Sequence, residues 1–307
     1  MHTTPSHSRS GLLQISLAGV LWGTGGLGVE VVRDHADLSV VTISAWRMGL
    51  AAVVLVGAVL VLRRSGAVLA LVRARPGQAA AVGACTAAYQ ALYFGSVVTV
   101  GVTVATVVSL GLAPVVLTVA EAVAGRRRPG ADRLAVLAAA LAGLLLVSST
   151  AGLGATGPHP VAGVLLAVAS GSAYALATAL GRPLAQGTTP LALTTVTTTV
   201  GAVVLLPLAL VSGGSHATTD PVAVAVLLHL GVLTMALAYG LLYAGLRTTT
   251  GSAAVVATLL EPVTAALVAA VWLDERIGVL GTVGTLLILA AVAGLARRPV
   301  VALADSP

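Results

Sequence analysis

In this 307-residue chain only 8% of the side chains are charged, and nearly all of those fall in short gaps between long apolar runs. A water-soluble domain must cover its surface with polar groups, and sixteen basic plus ten acidic residues cannot do so at this length. Hydrocarbon accepts the remaining surface, so the chain reads as a polytopic membrane protein. A soluble bundle of buried helices is a poor rival, because enclosed helices still need a polar outer layer.

A helix needs about 20 apolar residues to cross the hydrocarbon layer. Ten stretches qualify: 12–31, 39–61, 78–97, 100–122, 133–151, 161–181, 190–211, 222–245, 250–272 and 277–296. The third and fourth run together in hydropathy and separate through Gly95, Thr99 and Gly101. These runs are continuous rather than alternating over about ten residues, which argues against a β-barrel. Residues 1–11 are polar, and no signal-peptide cleavage pattern follows them, so 12–31 is expected to be retained as the first span. Residues 297–307 form a tail.

All sixteen basic residues are arginine. With a cytoplasmic N-terminus, the inner segments hold thirteen: Arg9, Arg63, Arg64, Arg73, Arg75, Arg126, Arg127, Arg128, Arg133, Arg182, Arg247, Arg297 and Arg298. The outer segments hold Arg33 and Arg276, and Arg47 falls inside a span. The positive-inside rule then places both termini in the cytoplasm. An error of one span would scramble the bias, so it also supports ten spans. The net charge of +6 is scattered over short loops with little aromatic surface, which argues against nucleic acid as a partner. Cys85, the single cysteine, excludes an intramolecular disulfide and a multi-cysteine metal site.

The chain repeats itself. Ala18-Gly19-Val20-Leu21 returns as Ala162-Gly163-Val164-Leu165, and Leu92-Tyr93-Phe94-Gly95 as Leu242-Tyr243-Ala244-Gly245. Pro114 corresponds to Pro262 and Gly130 to Gly278, each 148 residues apart. The expected architecture is therefore all-α, with two five-helix repeats over 12–151 and 161–296. Five is odd, so the second copy enters from the opposite side, and such an inverted repeat supplies two conformations facing opposite sides.

The exceptions to charge exclusion are the sharpest functional candidates. Glu261 lies near the middle of the ninth span, where a carboxylate facing lipid is costly; it is expected to face the interior or a water-filled cavity. Pro262 is expected to break the helix and free the carbonyl of Thr258, and Pro114 is its counterpart. Arg47, eight or nine residues into the second span, must reach a headgroup, a carboxylate or an anionic solute. A Glu261–Arg47 pair is one open arrangement. Trp22 stands beside Gly23, Gly25 and Gly26, which weaken the first span and permit close approach. Tyr89, Gln90 and Tyr93 in the third span are candidates to line a pocket, with Tyr174, Tyr239 and Tyr243 in matching roles in the second half; helix packing or anchoring at the interface is their alternative. Glu121 is expected to pair with Arg126, Arg127 or Arg128. His229 is isolated; a lone histidine is weak evidence for a metal, and no metal site or cofactor is expected.

Ten spans in two halves, Leu21-Trp22-Gly23-Thr24, Arg47, and Leu260-Glu261-Pro262 running to Trp272-Leu273-Asp274-Glu275-Arg276 together resemble the EamA-type transporters of the drug/metabolite transporter superfamily. The resemblance covers essentially the whole length. It implies a central cavity lined mainly by the first four helices of each half. The first half departs from the pattern, reading Arg126-Arg127-Arg128 where the second has Asp274-Glu275-Arg276, so the acidic pair is expected to be a loop or capping feature. A secondary-active transporter is expected, exporting a small metabolite, amino acid or drug-like solute by alternating access. The partners are membrane lipids and a small organic solute, with proton coupling through Glu261 as a hypothesis and room for a homodimer. The rival readings are an integral membrane enzyme acting on a lipid-linked substrate, which lacks clustered catalytic groups here, and a channel-like component.

Overall fold

The computed structural model describes residues 5–126, 128–150, 159–272 and 278–296. Arg127, Arg297, Arg298 and residues 273–276, which include the acidic pair expected to be a loop or capping feature, lie outside them. Among the described residues, ten helices are long and apolar enough to cross a membrane. They are Arg9–His35, Val40–Val61, Pro76–Val100, Val102–Ala124, Ala131–Ser149, Pro160–Gly187, Pro190–Val211, Pro221–Leu246, Gly251–Val268 and Val279–Ala296, called the first to tenth spans below.

The starts follow from local chemistry. Pro76, Pro160, Pro190 and Pro221 open helices, where a missing N–H costs nothing. Ser39, Thr189, Asp220 and Thr250 accept hydrogen bonds from otherwise unpaired amides of the first turn. Gly101 divides the third span from the fourth with φ 93°, a conformation that favours glycine. One helix was not expected: Ser65–Ala74, too short to span, flanked by Arg63, Arg64 and Arg75, with Arg73 in its last turn, and exposing Leu69 and Val72.

Asp220 offers a test at a capped terminus. The Ala223 N–H bond (2.9 Å) holds its carboxyl below the ordinary value of 3.8; slight desolvation opposes this, and His35 at 3.5 Å adds to it. Because the folded value is the lower one, the contribution is complete above pH 3.8 and is lost as the pH falls past it. Asp220→Ala is expected to melt below wild type at neutral pH, with the gap narrowing under acid; a gap independent of pH would contradict the assignment.

The two repeats pack by the same rule. The third span lies on the sixth as the eighth lies on the first; the fourth lies on the sixth as the ninth lies on the first. The second and seventh form one self-related pair, the fifth and tenth another. Glycines permit these approaches. A Cβ at Gly83 would meet Val200 at 2.7 Å, and one at Gly231, 148 residues later, would meet Leu50 at 2.7 Å. In the fifth–tenth pair, a Cβ on Gly143 or Gly284 would lie 2.7 Å from the other's carbonyl oxygen. Val61, Leu206, Val211 and Leu286 point outward, as lipid-facing positions should. Ten of the described arginines (9, 63, 64, 73, 75, 126, 128, 133, 182 and 247) gather at the end of the bundle where the even-numbered spans finish and the first begins.

Candidate functional site

Three spans lose regular helix at one level, each for an identifiable reason. The first divides at Thr24 into Pro5–Gly23 and Gly25–His35. The Thr24 hydroxyl donates to the Leu21 carbonyl (2.7 Å), which leaves His229 Nε2 to donate to Thr24 Oγ (2.9 Å). The eighth is π-helical over Leu230–Leu237. There Trp22 donates its indole N–H to the Thr234 carbonyl (2.7 Å), tying the first span to the eighth.

The ninth span divides between Gly251–Ala257 and Leu260–Trp272. Glu261 sits in the first turn of the second piece, followed by Pro262. The Thr258 carbonyl is not free as expected: it accepts the Glu261 N–H at 2.9 Å, because the chain tightens into a turn there. The Thr258 hydroxyl donates to the Val255 carbonyl (3.0 Å) and meets the Tyr174 hydroxyl (2.9 Å). Pro114 corrects a second expectation. It lies buried inside the continuous helix Val102–Ala124 and does not break it. A proline removes one N–H, and tight packing can hold the helix through that loss; the ninth span adds the competing Thr258 hydroxyl and the turn.

Around these breaks lies a cavity of about 270 Å³. Trp22, Arg47, Tyr89, Gln90, Tyr93, Tyr239 and Glu261 all line it, drawn from spans of both halves. Phe94, Tyr174 and Met235 complete its inner wall. Tyr174 was noted in the sequence only as a match to the first-half tyrosines, and Met235 has no sequence signal beyond its hydrophobicity. Towards the loop after the first span the cavity shares Glu30, Arg33, Val40, Phe94 and Val98 with a wider vestibule of about 880 Å³. Asp37, Gly213 and Gly214 line that vestibule, on loops joined by the Ser215 N–H to Asp37 carbonyl bond (2.7 Å).

The opposite end is closed by aromatic rings. Tyr89 stacks on Tyr174 and Trp22 leans on Tyr239, both with centroids 5.0 Å apart. Beneath them the remaining space is about 10 Å³, too small for an organic solute. Tyr243 belongs to that lower space and not to the main cavity, contrary to its grouping with Tyr239 in the sequence. Four residues are about one helical turn, so Tyr243 lies one level deeper, where it is 2% exposed.

The polar groups of the cavity are poorly matched within the protein. Arg47 points inward instead of snorkelling; it is 9% exposed. Its Nη2 donates to the Thr234 hydroxyl (3.2 Å) and faces the Met235 sulfur (3.8 Å), while its Nε is buried with no partner. Gln90 is 5% exposed, and neither its amide nitrogen nor its amide oxygen has a partner. Leaving such a group unpaired costs about 1–3 kcal/mol. Arg47 and Glu261 share the cavity, yet no ion pair joins them among the described residues.

Farther from the cavity, at the arginine-rich end, Glu121 accepts from the Ser252 N–H (2.9 Å) and hydroxyl (2.8 Å) and pairs with Arg133. It thus caps the ninth span. Among the described residues the partner is Arg133, which the start of the fifth span brings back over Glu121, and not Arg126 or Arg128; Arg127 lies outside them. Among the described residues, no group of three or more histidine, cysteine or acidic side chains is placed to hold a metal.

Comparison with known proteins agrees with this architecture. The EamA-like transporter family matches twice, over residues 9–149 and 161–297. The uncharacterized transporter YwfM of Bacillus subtilis (strain 168) is 29% identical over 215 residues, covering 70% of this chain and 71% of that protein. A crystal structure with 19% sequence identity superposes with a TM-score of 0.78, covering 94% of this chain and 98% of the other, and so shares the fold.

Proposed function

The chain belongs to the EamA-like transporter family, and from that premise we propose that it is a secondary-active transporter exporting a small organic solute by alternating access. The observation that carries this reading is the cavity itself. It lies between two inverted repeats, opens through a vestibule at one end and is closed by stacked aromatic rings at the other. Exchanging which repeat opens would present the same residues to the opposite face. The arginine-rich end is assigned to the cytoplasm of the bacterial membrane, so the vestibule faces outward in this conformation. Glu261 is the group proposed to couple transport to a proton gradient, since it is a cavity-lining acid on a broken span.

Export is tested by screening a broad metabolite panel for uptake into inside-out vesicles, with Arg47→Ala and Glu261→Gln as controls. Saturable flux with counterflow is expected. An absence of solute-dependent flux across the panel would overturn the transporter reading, and a continuous conductance would replace it with a channel.

A further inference from the structure

We propose that the solute is a small organic carboxylate with an apolar body, and that Arg47 and Gln90 form the subsite for its carboxylate. The inference rests on reading the cavity as the solute site and goes further by naming the chemical class. A guanidinium at membrane depth requires an anion or a set of acceptors. Arg47 has only the Thr234 hydroxyl and the Met235 sulfur, both through Nη2, and its Nε lacks any partner. Glu261 lines the same cavity, but no ion pair joins the two among the described residues, so it leaves the Arg47 Nε without a direct partner. Gln90, on the same cavity, has two unpaired amide atoms, and its NH₂ can serve a second carboxylate oxygen.

Two planar groups with donors left over, the Arg47 Nε and the Gln90 NH₂, match a planar oxyanion better than a cation. The rings of Trp22, Tyr89, Tyr93 and Tyr239 give the remainder of the solute an apolar wall. Glu261 bounds the class from the other side: a second carboxylate on the solute would face it in a medium of low dielectric. A simple monocarboxylate and a zwitterion share the required headgroup.

The test uses the full-length protein in nanodiscs with five probes: 3-phenylpropionate, its amide, benzylmalonate, phenethylamine and phenylalanine. Binding is read by calorimetry, and flux in proteoliposomes is measured in parallel. The acid or phenylalanine is expected to bind about ten- to a hundredfold more tightly than the amide, the amine and the dicarboxylate. Which of the two is tighter tells whether the carboxylate arrives with an ammonium group. Arg47→Ala is expected to abolish this preference and Arg47→Lys to keep part of it. The preference among probes is read in wild type, so it does not depend on how either variant folds. An amide that binds as tightly as the tighter of the acid and phenylalanine overturns the proposal, as does binding of none of the five. Selective binding without flux would leave the subsite standing and remove the transporter reading; flux without acid selectivity would do the reverse.

Discussion

Glu261→Gln is expected to reduce solute flux about ten- to a hundredfold and to abolish its response to an imposed proton gradient. Glutamine keeps the shape of the side chain but neither carries charge nor exchanges a proton at these pH values. Glu261 makes no ion pair within the protein among the described residues, so the change removes little that holds the fold together. Its backbone N–H, which closes the turn onto Thr258, is untouched. Melting of the variant should therefore stay close to wild type while transport collapses. Proteoliposome flux measured with and without a proton gradient decides the matter. A variant that still responds to the gradient as wild type does would remove Glu261 from the coupling step, and equal loss of flux and of stability would make it a structural acid.

The second large effect is expected at Gly23. A Cβ there would lie 2.5 Å from the Glu261 carbonyl oxygen, 2.5 Å from Thr264 Cβ and 3.0 Å from the Ala265 amide nitrogen. Two of these are backbone atoms and cannot swing aside. Gly23→Ala must therefore push the first span away from the half-helix that carries Glu261, at a cost of about 1–3 kcal/mol for overpacking. Gly23→Val should be worse. Gly49→Ala in the second span is the control: a Cβ there meets nothing within 4 Å, and alanine favours helix over glycine by about 1 kcal/mol. Thermal melting in detergent should rank the proteins Gly49→Ala at or above wild type, then Gly23→Ala, then Gly23→Val, with flux falling in the same order for the two Gly23 variants. A Gly23→Val protein that melts and transports like wild type would refute the close approach.

Both predictions touch residues that the sequence singled out, but for incomplete reasons. Glu261 and Arg47 were legible because charge inside an apolar run is rare enough to mark the residue. Gly23 was legible only as part of a glycine-rich stretch; that its hydrogen faces the Glu261 carbonyl depends on how the first span crosses the ninth. The two prolines show the same limit. Pro114 and Pro262 occupy corresponding positions, yet only the ninth span breaks, at Thr258, where a hydroxyl competes for the backbone and a turn forms. Tyr239 and Tyr243 also look alike in sequence, and one helical turn puts one on the cavity wall and the other beneath its floor. Arg133 could not have been chosen over Arg126 to Arg128 as the partner of Glu121, since the turn into the fifth span decides which guanidinium returns.

What the amino-acid sequence determined alone was the number of spans and their grouping into two halves. Those follow from length, hydropathy and a repeated order of residues, all one-dimensional quantities set by the thickness and low dielectric of the hydrocarbon layer. Tertiary structure decided which side chains share a cavity and which of them lack partners. The rotation of each helix about its axis and the closeness of each crossing are fixed by contacts between segments far apart in the chain. Arg47 and Gln90 become a candidate binding site only because that packing buries them on one cavity and leaves the Arg47 Nε and the Gln90 amide unpaired.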